Sequence, residues 1–326
     1  MSPLKRIDMT VRLLLLAIAL ASVLPATGAA RPVAQAVSDG AVFLLFLLNG
    51  LRLPRSEVRR GIGHWRLLLP IFVWCFGVWA VAGKGMASIT AEWLPPTVAL
   101  GFLYLGVLPS TVQSATAYSS LAGGNVASSV VVAAVTNMLG VFVSVPLFVA
   151  LGGTAGGDFG LAGLGKVATV LVLPFAMGQV LQGRLGHLVV EHRALASWLD
   201  RISIAIAVYV AMSGAVEQGL WTRIGPAEWA VLSTGVCGLL LAAFAGSWFA
   251  GGLLRLDPPD RIAFLFAGAH KSVAMGAPLA AALFPPAIAG TILLPLLIYH
   301  LLQLVVSAPI ASRLARLPRP APGAAG

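Results

Sequence analysis

The chain has 326 residues, 59% of them hydrophobic and 10% charged, with a mean hydropathy of +0.94 and a formal net charge of +10. So few polar side chains cannot clothe a water-soluble globule of this length, and lipid is the expected solvent for most of its surface. The basic excess does not read as a nucleic-acid footprint, because Lys and Arg sit at the ends of apolar runs rather than in a patch with interleaved aromatics. Cys75 and Cys237 lie far apart inside apolar runs, which excludes a disulfide framework and a CxxC motif and leaves both as packing residues.

A hydrocarbon core of roughly 30 Å takes roughly 20 apolar helical residues to cross. Runs of that kind, bounded by charges, Gly or Pro, predict ten transmembrane helices near 11–30, 36–53, 65–83, 97–122, 126–152, 161–182, 202–219, 227–254, 262–284 and 287–311. The first also has the look of a secretory signal, with Lys5, Arg6 and Arg12 ahead of the apolar stretch and small residues over 27–30. None of the acidic residues is expected deep in a span. Trp221 and Trp229 read as interfacial anchors, and His64, beside Trp65 and Arg66, as a headgroup contact.

Lys and Arg concentrate in short cytoplasmic loops. With both termini placed inside, only Arg31, Lys84, Lys166 and Arg223 fall outside and Lys271 falls within a span, leaving 16 of the 21 basic residues on the side of the termini. This predicts an inner (plasma) membrane protein with both ends cytoplasmic. The halves can also be compared. Asn137, Ser144 and Pro146 recur as His300, Ser307 and Pro309, each pair 163 residues apart. Five spans per half is an odd number, so a second copy would be inverted relative to the first, giving repeats near 10–155 and 160–316 within one transmembrane domain.

Two predicted spans, the fourth and ninth, are interrupted by Pro, Gly and clustered polar residues: 106–116 (GVLPSTVQSAT) and 268–278 (GAHKSVAMGAP). Broken backbone at membrane depth is tolerated where protein, water or a ligand satisfies it, so paired interruptions point to a midplane binding site. The plainer alternative is a Pro kink with Ser and Thr bonded back to the preceding turn. Lys271 stands out, because a cation at a helix centre costs about 2.5–3.5 kcal/mol on insertion scales and is a functional candidate by default. Three roles are open to it: a titrating proton carrier, a charge neutralised by a bound anion, or a tethered cation bonded to unwound carbonyls. His270 and His300 could belong to a proton relay, or could simply bond across helices to Gln303, Asn137 or Thr136.

These residues resemble the bile acid:sodium symporter-like family, in particular a branch of symporters with a lysine in the second crossing segment. The likeness spans nearly the whole chain and is carried by 108–114 (LPSTVQS), 121–126 (LAGGNV), 270–272 (HKS), 294–296 (LPL) and 299–304 (YHLLQL). It implies ten helices in two inverted five-helix repeats, folded as a panel and a core, with helices 4 and 9 discontinuous where they cross, and transport by alternating access. Matching motif positions assigns Ser110, Thr111, Gln113, Ser114 and Thr116 to the first crossing segment, with Asn125 and Ser129 at the start of the fifth span. Thr136, Asn137, His270, Lys271, Ser272, His300 and Gln303 complete the candidate substrate and ion site.

Sodium-coupled members carry a glutamate before a Gln-Asn pair on the ninth helix. Here His270 and Lys271 take the place of that pair, no Glu is near, and the third span offers no polar amide. A hard cation prefers oxygen ligands, so sodium coupling is in doubt and a proton is preferred. The expected function is secondary transport of a small organic anion, with half-helix N-termini and Lys271 holding the anionic group. No metal and no cofactor beyond the coupling ion, H+ or Na+, is expected; the lipid bilayer is the other partner. The rival is a non-transporting regulator or scaffold locked by Lys271. An intramembrane enzyme is disfavoured, there being no deep Asp pair, HExxH or GxSxG.

Overall fold

A computed structural model describes residues 9–52, 65–153, 165 and 168–316. All regular structure among them is helical. In chain order the helices are α1 (Met9–Val23), α2 (Ala30–Arg52), α3 (Trp65–Thr90), α4 (Pro96–Val107), α5 (Gln113–Ala122), α6 (Val126–Ala150), α7 (Leu173–Glu191), α8 (Arg193–Glu217), the short α9 (Leu220–Arg223), α10 (Pro226–Leu253), α11 (Pro258–Ala269), α12 (Val273–Leu283) and α13 (Pro286–Leu314). Pro in the first turn of α4, α7, α10, α11 and α13 marks their starts, since its missing N–H is one the first turn does not use. A π-helical turn, Trp74–Val78, interrupts α3, and another, Ala168–Val172, precedes α7.

Among the described residues seven helical stretches are long and apolar enough to cross a membrane: α2, α3, α6, α8, α10, the α11–α12 pair and α13. The protein is therefore a multi-pass membrane protein. Leu16, Val81, Leu241 and Phe249 are exposed on its outside, where lipid tails rather than water suit them. α1 stops at Val23 rather than near residue 30, as expected ahead of Pro25, which biases the residue before it away from helical angles. α8 begins at Arg193, earlier than expected, because nothing between 193 and 202 breaks a helix. The predicted sixth span begins at 161, and His64 lies at 64; residues 161–164 and His64 are outside the described residues.

Asp39 lies well inside α2, nine residues from its start, and accepts a hydrogen bond from Gln35 Nε2 at 2.9 Å one turn earlier. That local amide partner is how a carboxylate is tolerated so far from a helix end.

The helices pack as two sets. α1, α2, α7 and α8 lie against one another, and α3–α6 with α10–α13 form the larger set; α8 joins the two by packing on α12 and α13. Within each set one pair of helices approaches closely through glycines, Gly50 against Gly178 and Gly83 against Gly106, where a Cβ would run into facing backbone. α2 and α8 run antiparallel, pinned by ion pairs at both ends, Arg31 with Glu217 and Arg52 with Asp200. The starts of α1, α2, α3, α4 and α6 each have a counterpart in α7, α8, α10, α11 and α13, at separations within a few residues of the 163 between Leu108 and Lys271.

Candidate functional site

Residues 108–112 separate α4 from α5, and residues 270–272 separate α11 from α12. The two breaks meet directly, Ser272 N–H donating to Pro109 O at 3.1 Å. Here α4 and α11 arrive C-terminus to C-terminus. Each ends in carbonyls with no helical partner and a partial negative charge. Such groups are costly at membrane depth, so what satisfies them defines the site.

On the α4 side, Lys271 Nζ donates to Gly106 O at 3.0 Å and Leu108 O at 2.7 Å, Ser144 Oγ donates to Val107 O at 2.8 Å, and Asn137 Nδ2 donates to Ser110 O. On the α11 side, Gly268 O accepts from two indoles, Trp79 Nε1 at 2.8 Å and Trp74 Nε1 at 3.1 Å, and Ala269 O accepts from Tyr299 OH at 2.6 Å. Lys271 O accepts from Gln303 Nε2 at 3.1 Å, while Lys271 N–H donates to Gln303 Oε1 at 2.8 Å. α12 is then capped by Ser272 Oγ, which accepts from Met275 N–H at 3.1 Å.

Lys271 is fully buried. Its third carbonyl is Cys75 O, at 3.2 Å, from the π turn of α3. There Trp79 N–H reaches back to Trp74 O, so Cys75 O loses the donor that an α-helix would give it. Three N–H donors thus meet three carbonyl oxygens from two segments, the complement of an ammonium. The Trp79 ring, with its centroid 4.5 Å from Nζ, adds a cation–π contact. Of the three roles open to Lys271 in the sequence, this geometry is that of a tethered cation. In this conformation no N–H of Nζ is left over for an anion.

The other candidate residues divide. His270 is brought in: Nδ1 lies 3.0 Å from Ser114 Oγ and 3.3 Å from Thr111 Oγ1, and Nε2 lies 2.7 Å from Ser307 Oγ, with Tyr118, Phe244 and Phe266 edge-on around the ring. His300 and Gln303 are brought in beside Lys271. Thr116 reaches Ser129 at 3.3 Å, just below the crossing on α5. Gln113 is exposed at the start of α5. Thr136 is not part of the site; its hydroxyl bonds back to Val132 O and Ala133 O on its own helix. Asn125 caps α6 through Ser128 N–H and binds Asp260 Oδ1 at 2.8 Å, which ties α6 to the start of α11 rather than to the crossing. Trp221 and Trp229 stack on each other, 6.1 Å between centroids.

The sequence reading missed Trp74, Trp79, Tyr299 and the Cys75 carbonyl. The third span was dismissed for want of an amide, yet an indole N–H is a donor too. Ser144 and Ser307 were used only as markers of the repeat, and that recurrence was itself a signal for their shared place at the two helix ends.

Discontinuous helices whose ends meet inside a multi-pass bundle are the arrangement in which many transporters build their solute and ion sites. The sequence profile of the SBF-like CPA transporter family matches residues 8–316, and the chain belongs to that family. YfeH of Escherichia coli, provisionally named a symporter, is 37% identical over 308 residues, covering 93% of this chain and 91% of its own. PA2026 of Pseudomonas aeruginosa, a protein with no assigned function, is 36% identical over 305 residues with the same coverage. Sodium/bile acid cotransporter 7 of Mus musculus is 24% identical over 295 residues, 83% of this chain and 80% of its own.

Proposed function

We propose that the chain is a secondary transporter that moves a small organic anion by alternating access, with Lys271 as a tethered cation at the crossing. The observation that carries this is the set of three carbonyls gathered on Lys271 Nζ. A cation already resides there, so sodium is not needed to neutralise the two helix ends, and the proton is the preferred coupling ion. The sodium in the name of the mouse relative is therefore not carried over; the bile acid in that name is an organic anion and supports the solute class only.

Ten crossings as two inverted repeats, near 10–155 and 160–316, are supported by the matched helix starts and by the antiparallel run of α2 and α8. On this reading α1, α2, α7 and α8 are the panel and the larger set is the core. The N-terminus of α5, with Gln113 exposed and Ser114 half-buried, offers the solute N–H groups and a positive helix end. The positive-inside count favours the inner membrane with both termini cytoplasmic.

Uptake into proteoliposomes tests this reading. A labelled organic anion from a panel of carboxylates and sulfates is expected to accumulate under an inward proton gradient, at the same rate in choline and sodium buffers. A strict sodium requirement would sink the tethered-cation reading. A folded protein that moves nothing across the panel would favour the locked scaffold.

A further inference from the structure

Two histidines sit at the crossing, and their hydrogen bonds are not equivalent. Around His270 every partner is a hydroxyl, Thr111, Ser114 and Ser307, and a hydroxyl can donate or accept by rotating its hydrogen. His270 can therefore change state with little effect on its neighbours. His300 has no such freedom on one side. Lys271 N–H can only donate, so the atom of Gln303 that faces it must be Oε1. Gln303 Nε2 then points the other way, to Lys271 O at 3.1 Å and His300 Nδ1 at 2.8 Å. An amide N–H2 can only donate, so toward Gln303, at 2.8 Å, His300 Nδ1 accepts and the ring hydrogen lies on Nε2; Lys271 O, 3.4 Å from Nδ1, is the acceptor nearby for a hydrogen added there. A single backbone N–H thus fixes the amide, and the amide fixes the imidazole.

We propose that His300 is the proton-binding site through which the crossing senses pH. This deepens the transport reading above and rests on it. A proton added at Nδ1 sets one N–H against another across 2.8 Å. Either Gln303 turns its amide, which strips the bonds from both Lys271 N–H and Lys271 O, or His300 swings away from Gln303. The turn of the amide loosens the backbone between α11 and α12, where Lys271 holds the end of α4, whereas a swing of His300 alone would leave both Gln303 bonds to Lys271 in place. His270, Lys271 and Gln303 are fully buried, whereas His300 retains 8% exposure.

Titratable groups on the elements packed about His300 are Lys271 and His270 in the α11–α12 break and Tyr299 on α13 itself, while α4 and α5, which pack on α13, carry Tyr104, bonded to Gly276 O, and Tyr118, bonded to Leu304 O. α3 contributes Cys75 beside Lys271. α8 runs antiparallel to α13, with Gly214 against Pro286 and Gly290 against Ala211; its charged residues toward that end are Asp200, paired with Arg52, and Arg201. α12 has no titratable side chain, and α10 has Glu228 in its first turn and the exposed Cys237.

The test uses the full chain in lipid nanodiscs with 15N-labelled histidine. The five histidines are assigned by single His→Asn variants, and the ring-nitrogen shifts separate the two neutral tautomers from imidazolium. His300 is expected as the Nε2–H neutral ring at the alkaline end of a pH series and as imidazolium at the acid end. Over the same interval the hydrogen-exchange protection of the Lys271 amide, corrected for the intrinsic rate, is expected to fall by about tenfold. His300→Asn keeps an acceptor for Gln303 but cannot take up a proton, and should show no such fall. An Nδ1–H ring at high pH overturns the proposal. So does a ring neutral throughout, or protonation that leaves the protection of Lys271 unchanged; the wild type alone gives these three results. A titrating His300 without proton-driven uptake would sink the transport reading, while proton-driven uptake with a silent His300 would sink this one.

Discussion

The half-helices that follow the two breaks, α5 and α12, begin with the same device and end differently. Each starts with a hydroxyl accepting from a backbone N–H of its first turn: Thr111 Oγ1 from Ala115, and Ser272 Oγ from Met275. Beyond that, α5 (QSATAYSSLA) exposes Gln113, Ala117, Ser120 and Leu121, whereas α12 (VAMGAPLAAAL) exposes only Ala274. α12 is seated against α8 and α13, and its break carries the lysine; α5 keeps an uncovered polar face. One half-helix is packed into the crossing, and the other keeps a face that no other helix among the described residues covers.

That contrast can be broken most forcefully at Lys271. Lys271→Ala leaves three buried carbonyls without a donor and should cost about 3–5 kcal/mol, read as a large fall in thermal midpoint in detergent. A midpoint that barely moves would mean that α12 does not anchor the crossing. Next in size is a pair of small-to-large changes. At Gly276 on α12, a Cβ would collide with the side chains of Leu296 and Leu108, so Gly276→Ala should destabilise by about 1–3 kcal/mol. Ala117→Leu on the open face of α5 should leave the midpoint in place and slow uptake instead. Smallest is the comparison of first turns. Ser272→Ala removes a cap and should cost about 1 kcal/mol. Gln113→Ala should stay within about 0.5 kcal/mol of wild type and raise the KM for the solute. Equal thermal shifts at Ser272 and Gln113 would erase the distinction.

Much of this architecture was legible in the residues. Pro109 and the run around Lys271 placed both breaks, because proline, glycine and polar groups in an apolar span leave backbone to be satisfied. The spacing of Asn137, Ser144 and Pro146 from His300, Ser307 and Pro309 anticipated the matched helix starts. The distribution of partners was not legible. Asn125 and Thr136 carry the right chemistry but lie on parts of α6 that serve a cap and a local turn, and only the packing of α6 on α4 and α11 decides that. Trp79 was hidden for the opposite reason: an indole in an apolar span reads as bulk, and its N–H acquires meaning only when a helix end stops beside it. The extra length of α2 was not legible either, because it runs back beyond its apolar core, over Arg31, Pro32 and Gln35.

The π turn in α3 ties the lysine to the length of the chain. A π turn holds one residue more than an α-helical turn, so deleting a residue between Trp74 and Val78 would restore the regular ladder and leave the following residues on the faces they now occupy. The carbonyl that the π turn frees for Lys271 would be reclaimed by its own helix, while Trp79 and Gly83 would keep their places beside the crossing. A lysine at this position is thus coupled to an insertion roughly 200 residues away in sequence but adjacent in space. Relatives without the lysine are expected to carry a regular helix here, so a one-residue gap at this point in an alignment should travel with the charge.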